Sequence, residues 1–226
     1  MSHSSSFHLT AMQVLEALGG GQSAKVLRVE SPEGREQAVK VIDRSASGST
    51  SKLLADELTN WPPLRHESLV QFFGQLEFGA RYTLVFMELY AGGNLFQYVR
   101  LVGAQAGGAT VGLGNVRAYA FFKQITAAVQ YMHTSGVAHR ALKLENIMLN
   151  ATHEHLKVGD FGFARAVRHG DLCLTFCGSL VYTAPELLRH EDYCPFCSDV
   201  WSLGVILVVL LTGRALFAEP SRRSNC

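Results

Sequence analysis

The sequence predicts an α+β fold in two lobes, a small β-rich first lobe and a helical second one. Three observations support this. In the first ninety residues, short runs of β-branched and aromatic residues alternate with turn signals. From Val116 to His133 apolar residues recur at helical spacing through Phe121, Phe122, Ile125, Val129 and Met132. The most apolar run of the chain, Leu203 to Leu211, suits a helix buried in a domain. Strands gathered at one end of a chain and helices at the other mark an α+β arrangement.

Taken in order, residues 1–11 are Ser/His-rich and are expected to be disordered. They have neither a basic segment nor a long apolar run, so no signal peptide is expected. Gln37 to Ile42 and Tyr82 to Met87 read as strands, bounded by Ser31-Pro32-Glu33-Gly34 and Phe78-Gly79. Ser51 to Trp61 reads as a helix stopped by Pro62-Pro63, because proline removes a donor and disfavours helix before it. Gly103 to Gly114 (GAQAGGATVGLG) is expected to be a flexible loop. The helix from Val116 to His133 follows, then short strands near Ile147 to Leu149 and His155 to Val158. Fourteen uncharged residues lie between Asp199 and Arg214, fewer than the roughly 20 apolar residues that span a bilayer, so no membrane span is expected. Residues 12–217 would form the domain, with lobes at 12–88 and 89–217, and residues 218–226 a polar tail.

Composition sets the outer bounds. Among 226 residues 48% are hydrophobic and 17% charged, enough apolar material for a core and too much for wholesale disorder. Twenty Lys+Arg against 19 Asp+Glu leave a net charge of +1, which argues against a nucleic-acid or acidic-membrane partner. Five cysteines without an export signal suggest reduced thiols and a cytoplasmic or nuclear protein.

The first chemical signal is Leu18-Gly19-Gly20-Gly21-Gln22-Ser23-Ala24-Lys25-Val26. Glycines let a backbone hairpin approach phosphates closely and offer them its N–H groups, although a plain turn between strands uses the same residues. Fourteen residues after Val26 comes Lys40 in Ala38-Val39-Lys40-Val41, and Glu57 on the predicted helix is a candidate partner for it. The second half holds His139-Arg140-Ala141-Leu142-Lys143-Leu144-Glu145-Asn146, then Asp160-Phe161-Gly162, Ala184-Pro185-Glu186 and Asp199-Val200-Trp201-Ser202-Leu203-Gly204.

In this order and spacing, those motifs make the chain resemble the eukaryotic protein kinases from about Leu15 to Phe217. Lys143 resembles the serine/threonine branch. Asp160 to Arg165 and Thr175-Phe176-Cys177-Gly178-Ser179 resemble the calmodulin-kinase-related group, with the testis-specific serine kinases the nearest likeness. The resemblance implies a two-lobed protein-kinase-like fold that binds ATP and Mg²⁺ and meets a protein substrate or scaffold partner. It implies Lys40 on the α/β-phosphates, fixed by Glu57, and Asn146 and Asp160 on the metal. Met87 would be the gatekeeper, with Glu88 and Tyr90 presenting backbone to the adenine. Leu18, Gly19, Gly20 and Gly21 would cover the nucleotide, Val26, Ala38 and Met148 would sandwich its ring, and Asn94 would lie near the ribose. Asp199 would tether the catalytic loop, and His139, Phe161, Trp61 and Phe72 would stack in an apolar column. Thr175 is where activating phosphorylation is common, with Arg140 its phosphate partner.

The pattern breaks where an active kinase has His-Arg-Asp. Ala141 stands in place of the carboxylate that orients the substrate hydroxyl and accepts its proton. General-base assistance is typically worth 10²–10⁴-fold, or roughly 3–5 kcal/mol of barrier. Lys143 survives, so the resemblance implies a pseudokinase or, alternatively, a weakly active serine/threonine kinase. Ala24 replaces a third glycine, and the helices that usually follow Asp199-Val200-Trp201 are absent after Phe217, so an incomplete second lobe and a non-functional truncated product form a third reading. A rival chemistry is a Cys₄ zinc site from Cys173-x₃-Cys177 and Cys194-x₂-Cys197.

Overall fold

The computed structural model describes residues 12–20, 24–45, 48–106, 111–168, 170–175 and 177–217. By contacts the chain divides into two compact units, one of Met1–Lys52 with Gln71–Leu89, the other of Leu53–Val70 with Tyr90–Cys226.

The first unit is built on five antiparallel strands: β1 (Gln13–Gly20), β2 (Ala24–Glu30), β3 (Glu36–Asp43), β4 (Phe72–Phe78) and β5 (Tyr82–Met87). Their order in the sheet is β1-β2-β3-β5-β4. The predicted strands at 37–42 and 82–87 are β3 and β5. Alternation sorts their side chains. Val29, Val39 and Phe86 form a buried cluster with Leu27, Val41, Leu76 and Leu84 packed on it. Paired residues share a face, and the register pairs Val26 with Lys40, Lys40 with Val85, and Ala38 with Met87. Val26, Ala38, Lys40 and Met87 therefore occupy the face opposite that cluster.

The second unit carries the helices, except for the first residues of α1. The helix α1 (Gly48–Asn60) starts three residues earlier than the sequence suggests, and α2 (Leu95–Gln105) follows. Next come α3 (Asn115–Thr134), α4 (Pro185–Leu188) and α5 (Pro195–Thr212). Two small antiparallel ladders complete it, β6 (Val137–Ala138) with β9 (Arg165–Ala166) and β7 (Ile147–Leu149) with β8 (Leu156–Val158). The segment Leu53–Val70, which the sequence reading placed in the first lobe, is tied to this unit. Asn60 Nδ2 donates to the Ala164 carbonyl at 3.0 Å, and Trp61 stacks on Phe161 with centroids 4.9 Å apart. Leu69 bridges to Val158.

The expected loop at 103–114 is corrected at its start, where Gly103, Ala104 and Gln105 continue α2. Asn94 caps this helix, and Leu95, Tyr98 and Val99 bury one stripe, so packing carries the helix past the first glycine of the run. Gly103 is itself buried. The apolar run near the C-terminus lies within α5. By length and composition α5 would suffice to cross a bilayer, and half of it is buried inside the unit. Its buried residues include Ser198, Asp199 and Ser202 as well as Leu203, Ile206 and Leu210. Gly213 ends it in the left-handed conformation (φ 70°), donating to the Val209 carbonyl at 2.8 Å.

Candidate functional site

The loop from His139 to Asn146 is held by groups distant in sequence. Asp199 Oδ2 accepts the His139 N–H and Oδ1 accepts the Arg140 N–H, both at 2.8 Å. Asp199 is 1% exposed, and its Oδ2 also meets His133 Nε2 at 2.9 Å. A carboxylate buried this deeply persists when its oxygens are satisfied, and here three N–H or ring donors face them. The clamp has a local purpose. Arg140 sits at φ 62°, a region that costs a side-chain-bearing residue roughly 1–2 kcal/mol. The expected tether from Asp199 is observed.

Inside that clamp Ala141 is 7% exposed. Its carbonyl accepts Asn146 Nδ2 at 2.9 Å, and its N–H reaches His139 Nδ1 at 3.3 Å. The loop thus keeps its shape around a methyl group. Lys143 is half-buried, with Nζ 3.4 Å from Ser179 Oγ, which brings the segment before Ala184-Pro185-Glu186 to the loop.

Asn146 also anchors the next motif. Its carbonyl accepts the Gly159 N–H at 2.8 Å, placing Asp160 directly after that link. A side chain on Gly159 would press against Val70, so the glycine keeps this approach close. Asp160 has φ 58° and an exposed carboxylate. With Asn146 Nδ2 committed to Ala141, the amide oxygen is the atom left to face a cation. A hard amide oxygen and a hard carboxylate, linked through Gly159, fit Mg²⁺. Behind them three of the four rings expected to stack lie in this unit, with Phe161 stacked on Trp61 and 5.6 Å from His139, while Phe72 belongs to the sheet unit. Trp61 Nε1 donates to the Val70 carbonyl at 2.8 Å.

The remaining predicted residues fall in both units. In the sheet, Gly19 and Gly20 pair with Val26 and Lys25 at the end of β1, and Leu18 is exposed. A Cβ on Gly20 would lie 2.8 Å from the Ala24 carbonyl oxygen, so only glycine fits there. Gly21 lies outside the described residues. Lys40 is half-buried on β3, and Met87 ends β5. The Glu88 N–H donates to the Gln71 carbonyl at 3.0 Å and its Oε2 accepts the Gln71 N–H, so this residue's N–H is already used. In the helical unit Glu57 is buried on α1. Tyr90 has the Lys157 ammonium 5.3 Å from its ring centroid. Met148 bridges to Asn94.

Asn94 has a second task that sequence reasoning overlooked. Its Oδ1 accepts the Gln97 N–H at 2.9 Å while Gln97 Oε1 accepts the Asn94 N–H, a reciprocal capping box. Asn-x-x-Gln before an apolar run is a readable signal for it. Tyr193 gave no such signal. Its hydroxyl donates to the Thr175 carbonyl at 3.0 Å and lies 3.5 Å from Arg140 Nη1, joining the two residues expected to act in regulation. Burial pushes the Tyr193 phenol up to about 12, so the hydroxyl stays protonated. Thr175 itself is exposed. The zinc alternative finds no support, since among the described residues no group of three His, Cys, Asp or Glu side chains is placed to hold a metal ion.

A protein kinase domain model matches residues 12–226. The chain is also 37% identical over 212 residues to testis-specific serine/threonine-protein kinase 3 of Homo sapiens, covering 92% of this chain and 75% of that protein.

Proposed function

Since the chain belongs to the protein kinase family, on its serine/threonine side, we propose that it is a nucleotide-binding pseudokinase. The single observation that carries this reading is Ala141, a methyl group within a catalytic loop otherwise held in place. Asp199 clamps the loop backbone, and Asn146 ties the Ala141 carbonyl. The defect is therefore one of chemistry and not of shape.

Mg·ATP binding rests on residue types: Lys40 for phosphate, Asn146 and Asp160 for the metal. When bound, Mg²⁺ supplies positive charge that offsets the phosphates and orients them. The chain's own residues would do the rest. Lys143, beside Ser179, places an ammonium near the loop, where it would neutralise charge on a transferring phosphoryl group. Nothing at position 141 takes the proton of an attacking hydroxyl. That step would fall to water, and transfer would be slowed by about 10²–10⁴-fold.

A weakly active serine/threonine kinase is the second reading, favoured by the intact Lys143. One experiment separates the two: phosphotransfer from labelled ATP to a generic basic protein by wild type and Ala141→Asp, beside thermal shift with Mg·ATP. The proposal expects nucleotide-dependent stabilisation of both proteins and transfer by the variant alone. Wild-type turnover at a kinase's usual 1–100 s⁻¹ or so would sink it.

A further inference from the structure

Four cysteines lie among the described residues, all as free thiols, and their surroundings divide them into two pairs. Cys173 and Cys177 are buried. Cys173 Sγ meets Arg165 Nη1 at 3.2 Å, and the Cys177 thiol reaches the Arg140 carbonyl at 3.7 Å. Burial pushes the Cys177 thiol up, so it stays protonated. Enclosed thiols of this kind are inert.

Cys194 and Cys197 differ on each count. Cys197 is exposed and Cys194 half-exposed. They belong to Cys194-Pro195-Phe196-Cys197, which opens α5 with Cys194 at the N-cap and Pro195 in the first turn. Cys197 is then the third helical residue. N-cap and third-position side chains face each other across the first turn, the same relation that a capping box uses. Pro195 stiffens the intervening backbone without sacrificing a helical hydrogen bond. The neighbouring Cys194 thiol, with some burial added, holds the Cys197 proton more tightly than usual. Cys194 stands at the N-cap of an 18-residue helix and so faces its positive end.

The geometry points to a reversible redox site in which Cys194 and Cys197 close an intrachain disulfide when hydrogen peroxide reaches them. Cys194, as thiolate, attacks one peroxide oxygen, the O–O bond breaks, and hydroxide leaves with the proton that Cys194 gave up, as water. The product is a sulfenic acid on Cys194. The Cys197 sulfur then attacks that sulfur, its own proton passing to the departing hydroxyl, which leaves as a second water. Two thiols lose two protons and two electrons in total, and one peroxide is reduced to two waters. Closing the S–S bond asks for side-chain rotation at two residues that already face each other across one turn. The site opens the helix that carries Asp199 in its second turn, and Phe196 between the two cysteines packs on His133 with centroids 4.6 Å apart.

The test uses the full chain, treated with hydrogen peroxide, alkylated in denaturant, digested and weighed. The expected result is a peptide containing Cys194 and Cys197 that lacks two hydrogens and both alkyl groups. Prior treatment with a thiol reductant should restore both alkyl groups, and Cys173 and Cys177 should be alkylated throughout. In Cys197→Ser the oxidation should stop at Cys194 as a sulfenic acid that a dimedone probe captures. Both thiols still alkylated at peroxide levels that oxidise dithiothreitol would overturn the site. So would a bridge from either cysteine to Cys173, Cys177 or Cys226, or separate sulfinic acids without the two-hydrogen loss. The wild-type masses decide these outcomes even if the variant fails to fold.

Discussion

Asp199 accepts the backbone N–H of Arg140 through Oδ1 at 2.8 Å, from a residue fifty-nine positions away in the chain. Its second oxygen takes the neighbouring His139 N–H and meets His133, so one buried carboxylate shapes the loop that contains Ala141.

Removing that carboxylate should unfold the loop's support. Asp199→Ala leaves two buried N–H groups unpaired, each costing about 1–3 kcal/mol. A loss of roughly 3–5 kcal/mol is expected in urea denaturation. Asp199→Asn keeps one acceptor and should cost less. Equal losses for the two variants would show that the clamp is not what the carboxylate contributes.

Nucleotide binding should depend on the metal pair. A ligand at 100 times its dissociation constant stabilises by about 2.7 kcal/mol, readable as a rise in melting temperature. With Mg·ATP the wild type should show such a rise and Asp160→Asn should lose its magnesium-dependent part. A full shift in the variant would remove Asp160 from the metal site.

The Asn94 cap makes a local prediction. Asn94→Ala forfeits the bond from the Gln97 N–H and should cost about 1 kcal/mol, with faster hydrogen exchange in the first turn of α2. Unchanged exchange there would show that the turn is held by packing of Leu95, Tyr98 and Val99 alone.

In the sheet unit, the Arg81 guanidinium, with help from Ser45, holds the Asp43 carboxyl well below the usual carboxylate range. A depressed folded-state value contributes stability above the unfolded value near about 3.9, and that contribution is lost as pH falls toward the folded value. Arg81→Ala should move the Asp43 titration upward by NMR. An unmoved midpoint would assign the shift to Ser45.

Much of this protein is legible in one dimension. Residue types and their order carry the family, the strands at β3 and β5, the helix at α3 and the missing carboxylate at position 141. The sequence also shows that Lys143, Asn146 and Asp160 persist. The strands and the helix follow from local periodicity, which a linear chain records directly, while the family and the departure at Ala141 follow from likeness to known kinases in the order of motifs.

Tertiary structure decided the rest. It bound Leu53–Val70 to the helical unit through Trp61 and Phe161, and it spent the Asn94 oxygen on a helix cap. It brought Tyr193 to both Thr175 and Arg140. It also enclosed one cysteine pair and left the other facing solvent across the first turn of a helix. Each of these outcomes turns on burial and on which donor finds which acceptor. Those are settled only when segments distant in the chain pack together and polar groups, cut off from water, must be satisfied by one another.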